Sequence, residues 1–280
     1  MSRFLARFGH ERPALGGAIV LAIIVAAALL GPLLWHVSPI TVQHAVMGHP
    51  LPPSAAHPLG TDLLGRDQLA RALQGARVSL TVGVTAMLVA IGLGSLYGAI
   101  AGLAGGKVDA MMMRFVDAML SFPTFFLIIT VEALTNQFSL VVIVLVIGLL
   151  SWMVVARLVR GEVLTLRERD FVEAARALGA GPVRLITRHL LPNALAPIVV
   201  AATLAIGDNI LIEAGLSYLG LGVQVPTASW GNMLQDALGT TALVAPWMVI
   251  VPGTLIVVTL LAFNLVGEGL RVAFDRSIDQ

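Results

Sequence analysis

Seven stretches of this chain contain no Asp, Glu, Lys or Arg: residues 13–61, 78–106, 118–131, 133–156, 189–207, 214–235 and 237–267. A helix needs about 20 apolar residues to cross the hydrocarbon core of a bilayer, and most of these windows are long enough. Only 12% of the 280 residues are charged, and 58% are hydrophobic. That is about half the charge of a soluble domain, too little polar surface to cover a fold in water. The pattern excludes a cytoplasmic enzyme, a disordered chain and a nucleic-acid binder, since a net charge of +1 attracts no phosphate backbone. Cys is absent, which removes disulfides, Cys-based zinc sites and thiol chemistry.

Residues 36–58 are uncharged yet hold His36, His44, His49, His57 and five prolines, and read as a water-exposed loop. Scattered His in such a loop are expected to be solvated rather than metal ligands. The remaining windows predict six transmembrane helices at 14–35, 78–103, 111–133, 138–158, 195–219 and 246–267, so the fold class is an all-α membrane protein. All basic residues except Arg66, Arg71 and Arg77 fall on one side of this topology, Arg3, Arg7, Arg12, Lys107, Arg114 and Arg276 among them. The bias predicts both termini in the cytoplasm. The apolar stretch from Ala14 to Trp35 exceeds a signal-peptide core, so it is expected to remain as a span.

Gly94, Gly98 and Gly102 recur every fourth residue and line one helix face, which favours close helix packing over a pore lining. Pro123, Pro197 and Pro252 are expected to kink their spans. Trp230 and Trp247 fit an interfacial aromatic belt. Ionisable groups inside spans carry a default functional reading, since each costs about 2.5–3.5 kcal/mol at the bilayer centre. Here they are Arg114, Asp117, Glu132, Asp208 and Glu213. Arg114 and Asp117, three apart, are expected to pair. Glu132 is expected at the outer interface. Asp208 and Glu213 lie about 140° apart on a helix and cannot both face one narrow pore. Gly220 and Gly222 permit a sharp change of direction at a helix end.

The segment Arg157–Pro197 is the one long polar stretch on the basic side. It reads as a helix at 166–178 ended by Gly179 and Gly181, then a second opened by Pro182 and stopped by Pro192. Val183, Ile186 and Leu190 are expected on one face of it. Spacing alone leaves two readings open: a bent helix pair that plugs into a partner's groove, or an amphipathic hairpin on the membrane surface.

Several stretches carry a family resemblance. Glu173-Ala174-Ala175, Gly179, Ile186, His189 and Leu191-Pro192-Asn193 resemble the EAA loop of ABC-importer permeases. His57-Pro58-Leu59-Gly60-Thr61-Asp62-Leu63-Leu64-Gly65-Arg66-Asp67, then Glu213-Ala214-Gly215-Leu216-Ser217-Tyr218-Leu219-Gly220-Leu221-Gly222 and Ser229-Trp230-Gly231-Asn232, are similar to the dipeptide, oligopeptide and nickel permeases, second subunit of the pair. Asp208 matches no family position, and the tail Phe274-Asp275-Arg276 lacks the expected Asp-Pro-Arg.

The resemblance implies a type I importer permease fold with cytoplasmic coupling helices in a bacterial inner membrane. It implies residues 1–77 as an N-terminal helix and outer loop, 78–280 as a five-helix core, and a coupling loop at 161–194. Glu173, Ala174, Ala175, Gly179, Ile186, His189, Leu191 and Pro192 would engage an ATPase subunit. Asp208, Glu213, Ser217, Gly220 and Gly222 are candidates for the pathway or its gate. The implied partners are a homologous permease, two cytoplasmic ATPases that bind ATP and Mg, an extracytoplasmic binding protein and the lipid bilayer. The chain itself would hold no cofactor: its one near match to a phosphate-binding loop, Gly105-Gly106-Lys107-Val108, has Ala101 for the leading Gly and Val108 for the hydroxyl. The cargo would be peptides, nickel or metal chelates. A self-sufficient secondary carrier is the alternative, but no internal symmetry supports it. An intramembrane enzyme would need a constellation that His10-Glu11-Arg12 does not supply.

Overall fold

The computed structural model describes residues 11–135, 139–239 and 241–274. Arg3, Arg7, His10, the side chain of Glu132, and the tail residues Asp275 and Arg276 lie outside the described residues. Five long helices are apolar enough to cross a membrane: α1 (Arg12–Leu34), α2 (Gln68–Ala104), α5 (Leu140–Leu166), α7 (Leu195–Tyr218) and α9 (Trp247–Phe274). Between them lie α3 (Gly106–Leu120), α4 (Thr124–Thr135), α6 (Asp170–Ala177) and α8 (Trp230–Gln235). Among the described residues there is no strand.

The span expected at 111–133, with a kink at Pro123, is the pair α3 and α4, bent by 81°. Ser121-Phe122-Pro123 forms the break. Proline there has no N–H and disfavours helix at the residue before it. Helix α2 begins at Gln68, ten residues earlier than the sequence predicts. Asp67 explains this, because its carboxylate accepts from Ala70 N at 2.7 Å and caps the first turn. The expected division at residue 77 therefore cuts through a continuous helix. Helix α5 likewise runs past 158 to Leu166.

Helices α2 and α5 touch backbone to backbone. A Cβ on Gly94 would stand 2.6 Å from Trp152 O, and one on Gly102 would stand 3.0 Å from Arg160 O. Gly98 faces Ala156 O in the same way. The glycine stripe is thus a packing seam. Tyr97 and Trp152 stack edge to face beside it, with centroids 4.7 Å apart. Helix α1 packs on α9, where Gly17 approaches Ala262 O, and α7 crosses α2 at Gly83.

At the basic end, Asp109 accepts from Arg160 Nε at 2.8 Å and Nη2 at 2.6 Å. Asp117 pairs with Arg157 of α5 at 2.5 Å. The expected pairing with Arg114 is not formed, because α5 brings a cation from outside the helix.

At the opposite end, the connection between α1 and α2 is held by buried charge. Asp62 is 1% exposed and accepts from Arg66 Nε at 2.6 Å and from Arg71. Asp236, just past α8, accepts from Arg66 at 2.8 Å and Arg71 at 2.7 Å. His57 Nδ1 lies 2.8 Å from Asp67, which also accepts from Trp35 Nε1. His36, His44 and His49 are exposed, whereas His57 is partly buried in this network. Trp247 Nε1 donates to Thr61 O at 2.9 Å, so Trp247 anchors the connection rather than an aromatic belt. Pro32 has no N–H for Ala28 O, and Arg77 Nε donates to that carbonyl instead.

Two outcomes follow. Gly98→Ala is expected to lower the melting temperature of the solubilised protein by the equivalent of about 1–3 kcal/mol. Gly92→Ala on the same helix, with nothing within 4 Å, is neutral or stabilising. Equal effects in thermal unfolding would contradict the seam. Asp62→Ala removes a shared partner of two buried guanidinium groups and is expected to destabilise by about 3–5 kcal/mol. Faster proteolysis within residues 35–67 is the readout.

Candidate coupling segment and the buried carboxylate of α7

The chain leaves α5 and turns at once into α6, whose first turn carries Asp170 and Glu173 where acidic groups favour a helix N-terminus. The helix starts at Asp170, later than the expected 166, and ends where glycine predicts. Gly179 has φ +83°, its N–H donates to Arg176 O at 2.9 Å, and Ala180 N–H donates to Ala175 O at 3.0 Å. This pair of bonds is a Schellman cap, which needs the left-handed residue that glycine adopts without strain.

Beyond Pro182 the chain makes a short turn and then a wide π-helical turn, Leu185–Leu190. That wider winding sets Leu185, Ile186 and Leu190 inward and leaves Val183 outward, 76% exposed. The expected sharing of one face by Val183, Ile186 and Leu190 is therefore corrected: Val183 stands apart from the other two. Nor does Pro192 stop the chain. It sits in the first turn of Leu191–Asn193, where its missing N–H is harmless, and the path continues into α7. Asn193 Nδ2 donates to His189 O at 2.6 Å, which ties that turn down.

Burial divides the segment into two faces. Val172, Ala175, Leu185, Ile186 and Leu190 form one apolar cluster with Val155, Val159 and Val163 of α5 and Ala194 and Ile198 at the start of α7. Glu173, Ala174, Arg176, Leu178, Gly179 and Pro192 are exposed; His189 and Leu191 are half-buried. Ala174 and Ala175, expected to act alike, are split: Ala174 faces out and Ala175 packs inward. Leu178 is 90% exposed at the tip. Two surface hollows lie on this segment, one lined by Leu164, Thr165, Glu168 and Arg169, the other by Gly181–Val183, Arg184, Thr187 and Arg188. Arginines thus rim an outward surface with apolar points, over a base fixed to two long helices. Sequence reasoning missed Val172 and the α5 valines. Their signal was Val172–Ala175 and Val155–Val159–Val163 at helical spacing.

The second constellation is near the far end of α7. Glu213 is fully buried and accepts from Ser79 Oγ at 2.8 Å and Ser217 Oγ at 2.7 Å. Ser217 Oγ also accepts from Val223 N at 3.0 Å. Glu213 and Ser217 therefore join α2 to the end of α7 as packing contacts and do not line an open path. Gly220, with φ +80°, closes α7: Gly220 N donates to Ser217 O and Leu221 N to Leu216 O, a second Schellman cap. Gly222 is buried against Ser217, where a side chain has no room. Trp230 is fully buried with Nε1 donating to Ala72 O at 3.3 Å, which corrects its expected place in an aromatic belt. Asp208 alone of the pathway candidates is an exposed side chain in the body of α7, turned away from Glu213. Among the described residues no three His, Asp or Glu side chains are grouped to hold a metal ion.

Residues 94–280 match the family described as "Binding-protein-dependent transport system inner membrane component". Residues 1–53 match the "N-terminal TM domain of oligopeptide transport permease C". The oligopeptide transport system permease protein OppC of Escherichia coli (strain K12) is 41% identical over 269 residues, 96% of this chain and 88% of that protein. The protein of the same name from Bacillus subtilis (strain 168) is 37% identical, over 98% of this chain and 88% of that one. The solved MetNI methionine ABC transporter, in an inward-facing conformation, contains a chain that aligns with TM-score 0.56 at 20% identity. That alignment covers 71% of this chain and 95% of the other, a likeness of fold. With a bundle of this architecture and a family match over two-thirds of its length, the chain belongs to the binding-protein-dependent inner-membrane transport components: it is a multi-pass permease subunit of an ATP-binding-cassette importer.

Proposed function

We propose that this permease forms half of a peptide-translocation pathway and takes its energy through the surface built around α6. The names of the relatives, oligopeptide permeases across nearly the whole chain, support peptides over nickel or metal chelates. The partners are a homologous second permease, two ATPase subunits that bind ATP and Mg, and a binding protein that delivers cargo. Lipid covers the rest. Both termini face the cytoplasm, in keeping with the basic residues gathered at the α6 end.

The observation that carries this reading is the two-faced coupling segment. Its outer face offers Glu173, Ala174, Leu178, Gly179 and Val183 to a docking groove, and exposed apolar side chains at such a tip are suited to that use. Its inner face, through Ala175, Ile186 and Leu190, is continuous with α5 and α7. A push on Leu178 therefore has no slack to take up before those helices move. His189, Leu191 and Pro192 act as the junction that passes the displacement into α7. Glu213, Ser217, Gly220 and Gly222 act at the other end, where α7 is bolted to α2 and α8. ATP then biases an equilibrium between pathway states.

The test is purification of the tagged permease from its own membrane, followed by reconstitution with what accompanies it. Co-purifying ATPases and ATP-dependent peptide uptake are expected. Uptake by the chain alone, driven by an ion gradient, would establish the secondary-carrier alternative instead. Leu178→Asp and Gly179→Asp are each expected to lower uptake at least tenfold while the chain still inserts. Unchanged uptake in both variants would remove the coupling role.

A further inference from the structure

Asp208 sits near the middle of α7, exposed, and no hydrogen bond or ion pair joins it to any described residue. The contacts of its neighbours define where it points. Ile206 and Ile210 meet α2 at Gly83, and Asn209 bonds to Ser151 of α5. Gly207 faces Leu260 and Phe263 of α9, and Gly215 faces Phe125 of α4. At 100° per residue, Asp208 shares a strip with Leu204 and Leu211, between the contact of Leu204 with Gly267 of α9 and that of Gly215 with Phe125 of α4, and is itself exposed.

An ionised carboxylate on such a strip does not face hydrocarbon, because desolvation there is too unfavourable; it faces a water-filled path or another polar surface. No Lys or Arg occurs in residues 13–65, 78–106, 115–156 or 189–270, so no span of this chain supplies a cation at that depth. Cargo that carries a cationic group can supply the missing charge. We propose that Asp208 is the point in the translocation pathway that takes the α-ammonium group of the passing peptide. Every unblocked peptide carries that group whatever its sequence, so one fixed carboxylate serves a mixed cargo. Its exposed setting keeps the ion pair weak enough to release. This rests on the peptide-importer reading above.

The complete complex in proteoliposomes, with saturating binding protein and a labelled zwitterionic tripeptide, tests it. Asp208→Asn is expected to lower uptake at least tenfold, with assembly and binding-protein-stimulated ATP hydrolysis within twofold of the unaltered complex. Asp208→Glu is expected to retain most uptake. In a complex without other reactive thiols, Asp208→Cys is expected to regain uptake after modification with a carboxyethyl methanethiosulfonate and not with the aminoethyl reagent. Full uptake by the Asn variant, or equal rescue by both reagents, would overturn the assignment. So would loss of the second permease from the Asn complex, which would make Asp208 an interface residue. Absence of ATP-dependent uptake in the unaltered complex would instead remove the importer reading, and the proposal with it.

Discussion

The close approach of α2 and α5 along Gly94, Gly98 and Gly102 is the contact on which the rest of the permease depends. Glycine removes the side chains that would hold two helices apart, so carbonyls of Trp152, Ala156 and Arg160 lie against the α2 surface. In lipid no hydrophobic force drives helices together, and such packing must supply the association itself. One consequence reaches the basic end. With α5 fixed on α2, Val155, Val159 and Val163 form a stationary shelf, and Val172, Ala175, Leu185, Ile186 and Leu190 rest on it. The coupling segment is therefore not a loose loop. It is an extension of the helical core that ends in an exposed tip.

The scarce polar groups do two different kinds of work. At the end opposite α6, buried Asp62, Arg66 and Arg71 pair with one another and with half-buried Asp236, and they clamp the α1–α2 connection to the end of α8. Such a network is costly to break and little screened by salt. Glu213 with Ser79 and Ser217 does the same inside the bundle. At the basic end the charges are paired in exposed or half-exposed bridges such as Arg157–Asp117, or left facing outward. Fixed geometry at one end and an adaptable charged surface at the other suit a subunit that is moved from one side only.

Much of this was legible in the sequence because the bilayer limits the choices. Charge-free windows located the spans, and Gly179 and Gly220 marked two helix ends, since only a left-handed residue completes a Schellman cap. The four-residue glycine spacing identified a packing seam. The misreadings share a cause. Pro123 marked a kink in the span at 111–133, but not that the break would reach 81° and divide it into two helices. Asp67 was read as part of a loop motif, so the start of α2 was placed ten residues late. Val183 was placed on one face with Ile186 and Leu190 on a 3.6-residue period, and the π turn that follows changes the period. Asp117 was paired within its own helix when its partner, Arg157, is forty residues away in sequence. Local pattern shows where a helix can form; the side chain that meets it from another helix is a tertiary fact.

The central claim is that the α6 tip and α5 move as one body. The chain has no Cys, so spin labels can be placed without background. The direct measurement is the distance between labels at exposed positions Leu178 and Val154 of one permease in the complete complex, with and without bound ATP. The expected result is a shift of less than about 2 Å within the chain, while the Leu178–Leu178 distance or the separation from the partner permease changes. A larger change between positions 178 and 154, with the two permeases stationary, would contradict rigid transmission.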